Sequence, residues 1–148
     1  MKKTLTFTVK IQAPRQLVWE KMLGKEGFEK WTAAFCEGST FSGSWDKGAK
    51  IQFLAPDGDG MTAVIAENRL YEHVSIRHLG EIRKGVEDTT SEKVRAWAPA
   101  YENYTFSDIE GGMLVTVHLD TIPEYEDFMK EAFPKALDSL KALCEGEP

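Results

Sequence analysis

The histidines of the chain are the first residues to consider for metal chemistry. His73, His78 and His118 all fall in segments that alternate apolar and polar residues, which is typical of strands. Alternate residues of a strand point to opposite faces of its sheet, and this parity places only His78 on the apolar face. Because one histidine does not make a metal site, we expect no bound metal. We expect His78 to have a structural role or to make a single hydrogen bond, with orientation of a polar ligand group as the alternative.

Carboxylates are the second candidates, because acid–base catalysis needs a buried carboxyl group with a raised pKa beside a partner. Most of the acidic residues fall at predicted strand ends or turns, where a solvated charge is usual. Glu102, next to the inward-facing Tyr104, is the best-placed exception. Arg77 on another predicted strand could pair with Glu102, but an outward-facing surface salt bridge is the simpler expectation. We therefore predict no catalytic residue.

Large aromatic side chains give the stronger functional signal. Ordinary core packing explains most of them, but pockets for small ligands are also lined mainly by apolar and aromatic groups with a few placed polar ones. The flexible thioether of Met129 suits an adaptable wall of such a pocket. The predicted cavity-lining set is Trp31, Phe35, Phe53, His78, Tyr104, Phe106, Tyr125, Phe128 and Met129.

The element that must position several of these residues is a long amphipathic segment from Pro123 to about Cys144. Its apolar residues recur at steps of three and four, which is the helical period. The early part of the apolar stripe is aromatic, whereas the later part is alanine and leucine. A long helix laid across a curved antiparallel sheet can close a cavity as well as form a packed seam, so a container for a small ligand is the first hypothesis.

The remaining elements are read from alternation and from turn residues. Thr4–Ile11 alternates as a half-buried strand, and two short helices are predicted at Arg15–Leu23 and around Glu26–Phe35. One sheet with its helices on one side is an α+β architecture, and we expect a single domain over residues 1–148. Further strands are predicted at Ser39–Trp45, Lys50–Leu54, Met61–Asn68, His73–Leu79, Glu102–Ser107 and Met113–Asp120.

The longest interruption of this pattern is the polar segment Gly80–Glu92. We predict a mobile loop there, either a lid or an idle surface loop, and a short helical turn within Ser91–Ala98.

Composition and charge narrow the possible partners. The chain has 18 basic and 24 acidic residues, a net charge of −6, so nucleic acid and anionic membrane surfaces are unlikely partners. No apolar leader follows Met1-Lys2-Lys3 and no apolar run is long enough to insert into a membrane, so we expect a cytoplasmic protein.

Cys36 and Cys144 lack the spacing of metal ligands and are expected to be reduced. No cofactor is predicted.

Short motifs spread over nearly the whole chain carry a family resemblance. They are Ile11-Gln12-Ala13-Pro14 leading to Val18-Trp19, then Trp31, Gly43-Ser44-Trp45 with Gly48 before Ile51-Gln52-Phe53, and Tyr104-Thr105-Phe106 with Gly111-Gly112 before Val115-Thr116-Val117. Together they resemble the START-like superfamily SRPBCC, and most closely its branch named after the activator of the heat-shock-protein-90 ATPase.

The resemblance implies a helix-grip fold, like that of the birch pollen allergen. In this fold a bent antiparallel sheet wraps a long C-terminal helix, two short helices follow the first strand, and a deep hydrophobic cavity separates sheet and helix. Members bind lipids, sterols, polyketides or hormones, and a few catalyse cyclisation or dehydration. The family has no shared catalytic motif to carry over.

The leading hypothesis is a non-enzymatic protein, a monomer or weak homodimer, that holds a small apolar or amphipathic ligand between the sheet and the C-terminal helix. A module that stimulates a chaperone ATPase is the first alternative, supported by the resemblance alone. A cyclase- or hydrolase-type enzyme is the second, and it requires a buried carboxyl or histidine that titrates abnormally.

Overall fold

One antiparallel sheet supports the fold in the computed structural model, which describes residues 2–146. Its strands are β1 (Lys3–Ile11), β2 (Thr40–Gly43), β3 (Lys50–Leu54), β4 (Gly60–Arg69), β5 (His73–Arg83), β6 (Val86–Asp88), β7 (Ala100–Ile109) and β8 (Gly112–Thr121). The order across the sheet is β1-β8-β7-β5-β4-β3-β2, and β6 pairs with the end of β5. The predicted strands all occur, several of them a few residues longer than expected.

The helices occupy the predicted places. They are α1 (Arg15–Leu23), α2 (Lys25–Trp31), α3 (Glu92–Arg95) and α4 (Pro123–Cys144), and a 3-10 turn at Thr32–Ala34 follows α2. The described chain therefore runs as a strand, two short helices, a set of further strands and a long last helix. This order confirms the predicted α+β, helix-grip class.

The pairing of β1 with β8 shows how alternation produces the core. Leu5, Val9 and Ile11 are buried, whereas the threonines between them are exposed. In register, Val9 lies opposite Val115 and Ile11 opposite Met113, both also buried. Apolar side chains from the two strands thus cover one face of the sheet, and α1, α2 and α4 pack on it.

The prediction of a mobile loop at Gly80–Glu92 is wrong. Strand β5 continues to Arg83, and the chain reverses at Lys84 and Gly85, whose φ angles of 51° and 81° are both positive, before it returns as β6. Two successive residues with positive φ are what a tight two-residue hairpin turn requires. Ile82, only 3% exposed, anchors this β5–β6 hairpin to the rest of the structure.

The short helical turn predicted after this segment is present as α3. The Ser91 hydroxyl oxygen accepts a hydrogen bond from the Val94 amide at 3.2 Å, which caps the first turn. Val94 is fully buried and packs with Trp97 and Ala100, so this turn fixes the start of β7.

None of the helices described within residues 2–146 combines the length and the apolar character needed to cross a lipid bilayer.

Candidate functional site

Two adjoining spaces lie between the sheet and the N-terminal half of α4. The outer chamber has a volume of about 420 Å³ and the inner chamber a volume of about 200 Å³. The outer chamber is reached past the β5–β6 hairpin, the segment after α3 and the first turns of α4. The residues that line both chambers are Met61, His78, Glu102, Leu119, Phe128 and Met129.

Most of the side chains predicted to line a cavity lie around these chambers. The inner one is bounded by the rings of Trp31, Phe35, Phe53 and Tyr104, and the outer one by Tyr125. His78, Phe128 and Met129 lie at the boundary between the two.

Phe106 is the exception, since it lines neither chamber. Its side chain is on the same face of β7 as Tyr104, but helix α1 covers that part of the face. The rings of Phe106 and Trp19 meet edge to face, with centroids 5.5 Å apart and planes inclined at 76°. Strand parity therefore assigns Phe106 to the correct face but not to the correct part of it.

A polar cluster of His78, Glu102 and Tyr104 interrupts the apolar wall that the chambers share. The Nε2 atom of His78 lies 2.9 Å from Oε1 of Glu102, and the Tyr104 hydroxyl donates to Oε2 of the same carboxylate. Since an ionised carboxylate only accepts hydrogen bonds, His78 donates through its Nε2–H. Glu102 therefore accepts two hydrogen bonds from within the cluster.

Glu102 is a member that the sequence prediction left out of the site. It lies opposite Ile76 in the β5–β7 register, and its side chain is 20% exposed. The expected pairing with Arg77 is wrong, because Arg77 lies opposite Tyr101 and contributes no ion pair to Glu102. The available signal was parity, since Glu102 and Tyr104 are two residues apart on one strand and share a face.

Burial and charge keep the Tyr104 hydroxyl protonated. Burial first, and then the neighbouring Glu102 carboxylate, raise the pKa of Tyr104 well above its ordinary value. The tyrosine is 3% exposed and remains a hydrogen-bond donor throughout the range in which proteins are stable.

The rim of the outer chamber differs from its interior. Tyr125 and Phe128 on α4 are 39% and 49% exposed, so their rings face both the solvent and the chamber. The charged groups at the rim are of both signs, and they are those of Lys2, Asp59, Glu81, Arg83 and Asp120. Among the described residues, no three His, Cys, Asp or Glu side chains come close enough together to hold a metal ion.

Comparison with protein families identifies the architecture around these chambers. The family described as Activator of Hsp90 ATPase homolog 1-like protein matches residues 12–145. The chain belongs to this family, abbreviated AHSA1. The resemblance read from the sequence motifs is thereby confirmed.

Solved structures place this AHSA1-family chain in the same fold. The Aha1 dimer from Colwellia psychrerythraea has a TM-score of 0.71 at 18% identity, over 97% of this chain and 96% of that one. Protein MLL2253 from Mesorhizobium loti has a TM-score of 0.74 at 12% identity, over 95% and 96% of the two chains. DynU16, a protein in the dynemicin biosynthetic locus, has a TM-score of 0.69 at 17% identity, over 98% of this chain and 48% of its own. No curated protein matches the AHSA1-family chain in sequence.

Proposed function

We propose that this AHSA1-family domain binds a small amphipathic molecule in the chambers beneath α4. The observation that carries the proposal is the combination of two apolar spaces with one polar cluster in their shared wall. Ligand pockets are typically about 300–1,000 Å³ in volume, are mostly apolar and have a few placed polar groups. The outer chamber, at about 420 Å³, lies within that range.

The walls supply the driving force for binding. Each methylene group moved from water into an apolar environment contributes about 0.8 kcal/mol. Tyr125 and Phe128 are partly exposed beside the opening, so a ligand in the outer chamber also covers apolar area of the protein. Because the outer chamber has a volume of about 420 Å³, we expect a ligand with a compact apolar body, such as two or three fused rings.

The test is titration with N-phenyl-1-naphthylamine, a neutral dye whose fluorescence rises in apolar surroundings. Met61→Trp places a larger side chain at the boundary of the two chambers, and we expect it to weaken dye binding by about tenfold or more, the effect of losing roughly 1.4 kcal/mol of contact. Leu70→Trp is the matched control, because Leu70 is 61% exposed and lines neither chamber. Absence of dye binding to the unmodified protein, or equal weakening by both variants, rejects the proposal.

The family match favours a second candidate, stimulation of an Hsp90-type ATPase. The measurement is the ATPase rate of purified chaperone with increasing amounts of this protein. A dose-dependent rise that Met61→Trp leaves unchanged supports a surface interaction separate from the chambers, and an unchanged ATPase rate rejects this candidate.

A further inference from the structure

The polar cluster carries an inference about the chemistry of the ligand, which rests on the proposed function of the chambers. His78 is 6% exposed, and its Nδ1 atom is buried and has no hydrogen-bond partner among the described residues. A buried polar atom without a partner costs free energy, so such an atom at a cavity wall marks where a ligand group can complete the network.

The tautomer of His78 fixes what that group must be. In the neutral tautomer that donates Nε2–H to Glu102, the Nδ1 atom of His78 carries a lone pair. The Tyr104 hydrogen is already donated to Glu102, and each carboxylate oxygen has a further lone pair. The unused capacity of the polar cluster therefore consists of acceptors, and only a ligand with a hydrogen-bond donor can use it.

The charge of the inner-chamber wall discriminates between anionic, cationic and neutral ligands. Glu102 is the one acidic or basic side chain, apart from His78, among the described residues that line the inner chamber. No lysine or arginine there can neutralise an anionic ligand, so a carboxylate beside Glu102 is disfavoured. The Glu102 charge is already stabilised by two hydrogen bonds, from His78 and from Tyr104, which lessens its demand for a cationic ligand.

Access to Nδ1 requires a side chain to move, because this atom is buried from solvent. Met61 and Met129 line both chambers, and their unbranched thioethers change rotamer at little cost. A ligand that enters from the outer chamber can displace them toward the inner one.

We infer that the His78–Glu102–Tyr104 cluster selects neutral apolar ligands that carry a phenol or alcohol hydroxyl, which donates a hydrogen bond to His78 Nδ1. The hydroxyl lies at the wall between the chambers, and the apolar body of the ligand fills the outer chamber. A carboxylate in the place of that hydroxyl, beside Glu102, is disfavoured.

The experiment is competition for bound N-phenyl-1-naphthylamine by a matched series of naphthalene compounds. We expect 2-naphthol to compete about tenfold better than 2-methoxynaphthalene, which keeps the oxygen but lacks the donor, since one added hydrogen bond has about that effect. We expect 2-naphthoate to compete more weakly than the methyl ether. Equal competition by 2-naphthol and the ether, or the strongest competition by the ammonium form of 2-naphthylmethylamine, overturns the inference while leaving the proposed function intact.

Two variants connect the preference to the polar cluster. His78→Phe keeps a ring of similar size and removes the acceptor, so we expect the advantage of 2-naphthol over the ether to disappear. Glu102→Gln removes the charge, so we expect the rejection of 2-naphthoate to weaken; an unchanged rejection contradicts the inference. His73→Phe is the control, because His73 lies on the same strand with the opposite parity and pairs with Thr105. If the dye does not bind even to the unmodified protein, the proposed function fails and the inference fails with it.

Discussion

The two halves of α4 contrast within one continuous helix. Residues 123–131, the roof half, contribute no buried side chain, although Tyr125, Phe128 and Met129 line the chambers. Residues 132–144, the core half, bury Ala132, Phe133, Ala136, Leu137, Leu140 and Cys144. The amphipathic stripe continues along the helix, but the structure beneath it changes from the chambers to packed side chains, and Phe133, which still lines the inner chamber, marks the boundary.

The residue types explain this change. In the core half, alanines allow the helix to come close to its neighbours, and Phe133 fills the gap between elements. Its ring stacks on Phe7 with centroids 4.9 Å apart and meets the edge of Phe35 at 4.8 Å. In the roof half, ion pairs at the surface connect Glu126 to Lys3 and to Lys130, at 3.0 and 2.7 Å. Exposed pairs of this kind contribute little stability, so the roof half is the less firmly held part and the one suited to admit a ligand.

Truncation of one phenylalanine in each half gives the largest expected difference. Phe133→Ala should lower the free energy of unfolding by about 3–5 kcal/mol, because the side chain is 2% exposed and its removal leaves a cavity. Phe128→Ala should lower it by less than about 1 kcal/mol, because that ring is 49% exposed. Urea unfolding followed by circular dichroism measures both.

Dye binding should be weakened more by Phe128→Ala than by Phe133→Ala, which is the reverse of their order in loss of stability. Phe128→Ala removes wall from both chambers, whereas a folded Phe133→Ala protein loses wall only from the inner chamber and keeps the outer one. Equal losses of stability in the two variants contradict the division of α4 into a roof half and a core half.

Enlargement of one buried alanine in the core half of α4, and of one on β7 that lines the outer chamber, is expected to have a smaller effect. Ala136→Leu should cost about 1–3 kcal/mol, since the site is fully buried in packed side chains. Ala100 is 6% exposed but lines the outer chamber, so Ala100→Leu should change stability by less than about 1 kcal/mol and weaken dye binding. Thermal unfolding and dye titration of the two variants check this, and a cost at Ala100 equal to that at Ala136 shows that the outer chamber cannot take added atoms.

The same contrast explains which features were predictable from the sequence. The bounds of α1 and α4 are as predicted, because periodicity defines the body of each helix and proline precedes or begins it. The β5–β6 hairpin was missed because Ile82 is a single buried residue between charged ones, so its alternation is too short to distinguish from a loop. Local patterns thus identify elements well when the apolar stripe is long.

The candidate site was less predictable because its members depend on the placement of distant elements. Although Glu102 stands next to the inward-facing Tyr104, a surface salt bridge is the simpler expectation from sequence, and its inward position becomes understandable only with His78 and Tyr104 beside it. Whether Phe106 lines a chamber depends on where α1 crosses the sheet, and strand parity does not reveal that crossing point. Parity determines the face of a side chain, whereas the location of a chamber on that face is a property of tertiary packing.

The two cysteines give the comparison its least perturbing test, because labelling a thiol requires no substitution in the core. Cys144, in the core half, is 4% exposed, and burial raises the pKa of its thiol to about 11. Because the thiolate is the reactive form, we expect Cys144 to resist iodoacetamide at pH 8 in the folded protein, while the exposed Cys36 is alkylated. Mass spectrometry should find one label in the folded protein and two after denaturation, and in Cys36→Ser none before denaturation. Alkylation of Cys144 at the rate of Cys36 in the folded protein contradicts a closed core half, and faster labelling in Phe133→Ala than in Phe128→Ala ties the protection of this thiol to the packing around Phe133.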